Sequence, residues 1–260
     1  MTASVQFDFS GKRVLVTGGT SGMGEACARS FAAAGAKVVI NGRDHDRARA
    51  IITSSKGKGK GGSIAFVDGD IGARKKCDLI VTEAVGILGG LDIVVNSAGI
   101  IYHATAEETT DEQWLQTMNI NVNGMFFICR AALPHLRSSK GTIINIASDA
   151  ALSGSRHLVA YCASKGAVLQ MTRAMALDHG PEGVRVVPVC PGDVDTPMLR
   201  GEFRDRGLDA KSGLRESAEA VPLQRVCSAQ EVADMVLYAC TDSARFITGY
   251  PLVLDGGNRA

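Results

Sequence analysis

Seven short apolar runs, separated by longer segments of helical character, set the architecture this chain can adopt. They fall at residues 13–16, 37–40, 64–67, 93–95, 142–146, 184–189 and 252–254, and all are rich in Val and Ile. The runs are continuous rather than alternating, which is the pattern of strands covered on both faces. Segments 23–34, 44–54, 73–88, 111–137, 161–179 and 229–240 suit helices. This alternation predicts an α/β fold: a doubly wound, seven-stranded parallel sheet with helices on both faces and ligand beyond the strands' carboxyl ends. No linker interrupts the 260 residues, so a single domain over 1–260 is expected. The longest stretch without a strand, 196–226, is expected to serve as a substrate lid within that domain. The basic, Gly-rich segment KGKGKGG at 56–62 reads as a solvated loop.

Composition excludes several classes of partner. The 28 Lys and Arg nearly balance the 27 Asp and Glu, and only 5% of residues are aromatic. Neither nucleic acid nor an anionic membrane is therefore expected as a partner. The seven cysteines (27, 77, 129, 162, 190, 227 and 240) form no CxxC pair, and no metal site is expected. His103, His157 and His179 stand alone in sequence, although His157 falls between two reactive positions and is a candidate for the substrate pocket. The opening MTASVQFDFSGKR lacks an apolar leader core, and no run approaches the roughly 18–20 apolar residues of a membrane span. A cytoplasmic, reducing setting is the expectation.

The first apolar run leads directly into Thr17-Gly18-Gly19-Thr20-Ser21-Gly22-Met23-Gly24, and a helical segment follows. Glycines at such a turn let the backbone approach a pyrophosphate, which then rests at the positive end of the helix. Gly18, Thr20, Ser21, Gly22, Met23 and Gly24 are accordingly assigned to a dinucleotide. The end of the second run reads Ile40-Asn41-Gly42-Arg43, with no carboxylate for a ribose 2′-hydroxyl. Arg43 suits a 2′-phosphate, so NADP(H) is favoured and NAD(H) is the alternative.

Tyr161-Cys162-Ala163-Ser164-Lys165 places a phenol and an ammonium one helical turn apart, with Ser148 thirteen positions upstream. A free tyrosine titrates at about 10, too high for efficient proton exchange at neutral pH. A neighbouring Lys ammonium is expected to favour the phenolate, and Ser148 to hydrogen-bond a substrate oxygen. Ser148, Tyr161 and Lys165 thus fit proton transfer accompanying hydride chemistry on a carbonyl or carbinol.

Together these motifs resemble the short-chain dehydrogenase/reductase family, with its TGxxxGxG loop and its Ser–Tyr–Lys triad with YxxxK spacing, from Gly11 to Gly257. The resemblance implies a Rossmann-type fold and reversible hydride transfer between a nicotinamide dinucleotide and a carbonyl or secondary alcohol. Tyr161 is then the general acid/base, and Lys165 also holds the ribose. Asp70 and Ile71 match the family's adenine-binding position, and Asn96-Ser97-Ala98-Gly99 resembles its NNAG turn, with Ser97 for the second Asn. Asn96, Ala98 and Gly99 are assigned to the cofactor on that basis. Pro191, Gly192, Val194 and Thr196 match its PG-x-V-x-T segment at the nicotinamide. Asn121 matches the Asn that anchors a proton-relay water. The resemblance further implies a homotetramer, with 125–133 and 168–177 as suitable contacts. Two other readings compete. One is a catalytically silent dinucleotide-binding regulator. The other is a dehydratase or epimerase using bound NAD, whose TGxxGxxG spacing would need glycine where Ser21 stands.

Overall fold

The computed structural model describes residues 7–57 and 61–260. Part of the basic loop, 58–60, and the first six residues lie outside the described residues. The first half alternates β1 (Arg13–Thr17), α1 (Gly22–Ala33), β2 (Lys37–Gly42), α2 (His45–Ser55), β3 (Ser63–Asp68), α3 (Arg74–Leu88) and β4 (Ile93–Asn96). The second half runs α4 (Asp111–Met118), α5 (Met125–Ser139), β5 (Thr142–Ile146), α6 (Val159–His179) and β6 (Arg185–Pro191). It continues through β7 (Val194–Asp195), α7 (Pro197–Asp205), α8 (Ala210–Glu219), β8 (Cys227–Ser228), α9 (Ala229–Ala239) and β9 (Leu252–Leu254).

The main sheet has the order β3-β2-β1-β4-β5-β6-β9, and every pairing is parallel. Its continuous apolar runs arise because the strands inside the β9 edge feed two cores, whereas β9 packs Leu252 and Leu254 on one side and exposes Val253. Val14, Val16, Val38 and Ile40 pack with α1 and α9 residues such as Phe31 and Val236 on one side. Leu15, Val39, Val94 and Ile143 pack with α3, α5 and α6 residues such as Ile80, Ile128 and Val168 on the other. Burying residues of both parities removes the polar alternation of a one-sided sheet. Order reverses between β1 and β4, so the carboxyl ends of these two strands open a crevice for ligand.

Three features depart from the sequence-based expectation. The helix expected over 111–137 is broken by a π-helical turn at Asn119–Gly124. The strandless segment 196–226 contains two helices, α7 and α8, whose Phe203 ring packs against Gly213. A further two-stranded parallel ladder, β7 with β8, ties the two ends of that segment together through Val194↔Cys227 and Asp195↔Ser228. Among the described residues, no helix is long and apolar enough to cross a membrane.

Candidate active site

The β1–α1 turn is shaped by backbone proximity. Gly18 has φ +64°, and a Cβ on it would lie 2.7 Å from the backbone of Ala98, beyond β4. A Cβ on Gly24 would lie 2.3 Å from the Gly18 carbonyl oxygen, so α1 begins directly against the turn that precedes it. Ser21, the N-cap of α1, makes no side-chain bond to the helix's first N–H groups, whereas Asp44, Thr110 and Ser228 cap their helices. The first-turn amides of α1 are thus left for a ligand anion, an arrangement that fits a dinucleotide pyrophosphate. Gly24→Ala is expected to displace the turn and raise the dissociation constant of a nicotinamide dinucleotide at least about tenfold, equivalent to about 1.4 kcal/mol. Fluorescence titration of the reduced nucleotide measures this.

A trough continues from the turn across the crevice, lined by Gly18, Thr20, Ser21, Arg43, Asp70, Ile71, Ala98 and Gly99. Eight assigned cofactor residues therefore come together. Arg43 is 67% exposed, with its guanidinium 3.7 Å from the Asp70 carboxylate, while Arg47 is engaged by Asp44 at 3.1 Å. Asn41 is buried, and its Nδ2 donates to the carbonyls of Val67 and Gly69. Arg43 is thus an exposed cation at the end of β2, lining the trough beside Asp70.

Asn96 requires a correction. Its side chain turns into the core, where Nδ2 donates to Asn145 Oδ1 at 2.9 Å and contacts Cys129 Sγ. Asn145 in turn donates to Thr172 at 2.9 Å. Asn96 therefore braces β4 against β5 and α6 beneath the cofactor trough rather than lining it. The residue after it forms part of the turn, since the Ser97 N–H donates to the Thr17 carbonyl at 3.3 Å.

The substrate side of the crevice holds Ser148, Tyr161, Gly192, Val194 and Thr196, with Met23 at the border with the nucleotide turn. Pro191 ends β6 and carries the chain into that wall. Ser148 follows β5 and caps a short 3₁₀ turn at Asp149–Ala151, its Oγ accepting from the Ala150 N–H at 3.1 Å. Tyr161 lies near the start of α6 and shares the cleft with Ser148, whose hydroxyl acts to hold the phenol's proton affinity down. Lys165 Nζ sits 5.5 Å from the Tyr161 ring centroid and donates to the Ile146 carbonyl at 2.8 Å. Asn121, in the π-turn, is buried. Its Oδ1 accepts from the Ile100 N–H, and its Nδ2 donates to the Ile100 carbonyl and to Ser164 Oγ. Gly99 lies between Asn121 and Lys165, and a Cβ there would be 3.3 Å and 3.8 Å from them. The wider π-turn thus carries Asn121 to the Lys165 side of the site.

Electrostatics also differ from the simple reading. Burial raises the Tyr161 phenol above its ordinary range, and the carboxylates of Glu202 and Asp149 push in the same direction. Ser148 is the group that opposes them. The same burial lowers the Lys165 ammonium to about 8. Burial thus disfavours both charged forms, the phenolate and the ammonium.

His157 lies outside this lining. It is exposed, with a left-handed backbone (φ +58°), and its carbonyl accepts from the Ala104 N–H at 2.7 Å. His103 occupies the cleft instead, with Nε2 2.6 Å from Glu202 Oε2 on α7. Nothing in the sequence links these two residues, which are 99 positions apart. The remaining isolated histidine, His179, pairs with Glu182 on the surface. The α7–α8 segment contributes Met198, Leu199, Glu202, Phe203 and Arg206 to the cleft.

Comparison with known proteins bears on the same features. Residues 18–259 match a family model described as Enoyl-(Acyl carrier protein) reductase. The meso-2,3-butanediol dehydrogenase of Serratia marcescens is 36% identical over 255 residues, spanning 97% of this chain and 96% of that protein. The L-fucose dehydrogenase of Mus musculus is 37% identical over 252 residues, covering 96% of this chain and 89% of its own length. A short-chain glucose/ribitol dehydrogenase from Brucella melitensis superimposes with a TM-score of 0.89 at 32% identity, over 98% of this chain and all of that one (100%). A short-chain dehydrogenase from Burkholderia cenocepacia J2315, solved in complex with NADP, gives 0.86 at 31% identity over 96% and 99% of the two chains. The chain belongs to the short-chain dehydrogenase/reductase family. It is an NAD(P)-dependent oxidoreductase acting on CH–OH/C=O groups.

Proposed function

We propose that the chain interconverts a small hydroxylated secondary alcohol and its carbonyl, favours NADP(H) over NAD(H), and uses Tyr161 as general acid/base. The observation that carries this reading is the convergence of Ser148, Tyr161 and Lys165 beside a nucleotide turn whose helix amides are uncapped. The nicotinamide, when bound, supplies the hydride-exchanging carbon and, when oxidised, a positive charge. Tyr161 takes the proton of the substrate hydroxyl in oxidation and returns it in reduction. Ser148 orients the substrate oxygen toward the phenol. Lys165 holds the ribose and passes the Tyr161 proton onward, and Asn121 anchors that relay from its place beside Gly99. Removing the phenol should therefore abolish turnover while nucleotide binding persists.

The preference for a small hydroxylated substrate draws on two supports. The cleft volume is about 250 Å³, and its walls offer Ser155, Ser217, Asn258, Glu202 and Arg206 among apolar groups. By their names, relatives act on butanediol, fucose and glucose. Assaying a panel of diols, sugars, cyclic alcohols and hydroxysteroids at the nicotinamide absorbance band tests the assignment. Uniform inactivity on diols and sugars with turnover of a steroid would overturn it.

For the nucleotide, Arg43→Ala is expected to weaken NADP(H) about tenfold or more and to leave NAD(H) within about twofold, because a charge-assisted bond to the 2′-phosphate is lost. Equal effects on both nucleotides would contradict the preference. The lid role of 196–226 and a cytoplasmic homotetramer belong to the same proposal. All seven cysteines are free, in keeping with a reducing compartment. Trp114, Leu115 and Phe126 leave apolar surface on α4 and α5, and Leu177 does so on α6. Most of the other apolar residues in 125–133 and 168–177 face the core, so these outward side chains are the available subunit contacts.

A further inference from the structure

Asp149, next to Ser148, is almost completely buried, yet it carries a carboxylate in the wall of the cleft. Its Oδ1 lies 3.1 Å from Ser148 Oγ, positioned to accept that hydroxyl's proton. Its Oδ2 is held from the far end of the chain, by Asn258 Nδ2 at 3.1 Å and Arg259 Nε at 3.3 Å. Arg259 also donates through Nη2 to Ser155 Oγ at 3.0 Å, so its guanidinium bridges two points of the 148–155 segment. The Asp149 side chain is 11% exposed and that of Arg259, which covers it from the solvent side, 29%.

Hydrogen-bond accounting makes this arrangement consequential. A serine hydroxyl has one proton and two lone pairs. One lone pair of Ser148 accepts from the Ala150 N–H. The single proton has two claimants, the Asp149 carboxylate on one side and the oxygen at Tyr161 on the other. An unpaired carboxylate is the stronger acceptor, and its charge also opposes formation of a phenolate nearby. Resting on the dehydrogenase reading above, we infer that Arg259, with Asn258, is a positioning residue that offsets the Asp149 charge, weakening that carboxylate's hold on the Ser148 proton and its opposition to a phenolate at Tyr161.

The other charged groups around the phenol are accounted for. Lys165 and Cys162 come from α6 itself. Glu202 comes from α7 and is already engaged by His103, with Arg206 and Asp193 near it. Asp149 is the remaining carboxylate that acts on Tyr161, and Arg259 is its cation.

The pH profile of alcohol oxidation tests this directly. In Arg259→Ala the ascending limb of kcat/KM is expected to move up by about half to one pH unit, with turnover at neutral pH falling about three- to tenfold. Arg259→Lys, which keeps the charge, should restore most of the shift. Asp149→Asn should move the limb to lower pH, and adding Arg259→Ala to it should produce no further displacement. A limb that stays in place in Arg259→Ala, whatever happens to its amplitude, overturns the inference. So does an equal shift from Arg259→Ala with and without Asp149. Wild-type protein that turns over no alcohol, or a Tyr161→Phe variant that keeps its activity, removes the dehydrogenase reading and this inference with it. Tyr161-dependent turnover with an unmoved limb removes the inference alone.

Discussion

Tyr161→Phe is expected to lower kcat about a thousandfold, the scale of a lost general acid/base, with nicotinamide nucleotide affinity changed less than about twofold. Phe keeps the ring that packs near the start of α6 and removes only the hydroxyl that faces Ser148. The nucleotide turn is built from β1, α1 and the backbone after β4, none of which depends on that hydroxyl. Steady-state rates with the preferred alcohol, set beside fluorescence titration of reduced nucleotide, separate the two effects. A parallel loss of nucleotide binding would mean that Tyr161 supports the fold of the site rather than its chemistry.

Lys165→Met is expected to abolish most turnover and yet make the protein more heat-stable at neutral pH. The Lys165 ammonium is 6% exposed, and burial lowers it from 10.5 to about 8. Since each tenfold change in proton affinity is worth about 1.4 kcal/mol, keeping this group charged costs the fold about 3 kcal/mol. Met removes that cost and leaves the Ile146 carbonyl without its donor, a loss of about 1–3 kcal/mol. A net gain of about 1 kcal/mol corresponds to a rise of about 2–4 °C in Tm. The direction with pH follows from the lowered value. Below about 8 the lysine is protonated in both folded and unfolded chains, and the full penalty applies. Between about 8 and 10.5 the folded protein has released the proton that the unfolded chain still binds, so wild-type stability recovers as pH rises. The advantage of Met should therefore vanish within about one pH unit above 8 and reverse toward the upper end of that window, where wild type keeps the bond to the Ile146 carbonyl without the charging cost. Differential scanning calorimetry of both proteins at neutral and alkaline pH measures it.

Much of this site was legible because its motifs are local. The glycine turn needs a tight approach within seven residues, and the Tyr161–Lys165 spacing is one helical turn, so both are written in short stretches of chain. The strands were readable for a similar reason, since two-sided burial stamps a continuous apolar run on all but the edge strand β9, where Val253 is exposed. Features that depend on distant partners were not. Asn96 turns inward because Asn145 and Thr172, on other elements, accept and relay its hydrogen bonds. His103 joins the cleft because α7 brings Glu202 to it. The π-turn at Asn119–Gly124 has no periodicity distinct from the helix around it, and β7 and β8 are too short to leave an apolar run. The Tyr161–Lys165 spacing likewise carries no sign of how deeply the fold buries the two groups, because burial is a property of the whole fold and not of a spacing.

The central place of β1 has a consequence for how the chain is made. β1 pairs with β2 on one side and β4 on the other, and the nucleotide trough they border is lined by residues no later than Ile120. A ribosome has therefore delivered every wall of that trough before half of the 260 residues exist. The strands β5, β6 and β9 then join the far edge in the order of their synthesis. Arg259, which reaches back to Asp149 beside the catalytic serine, arrives almost last. Nucleotide bound by the growing chain would stabilise the early half by mass action and give the later strands a formed edge on which to assemble.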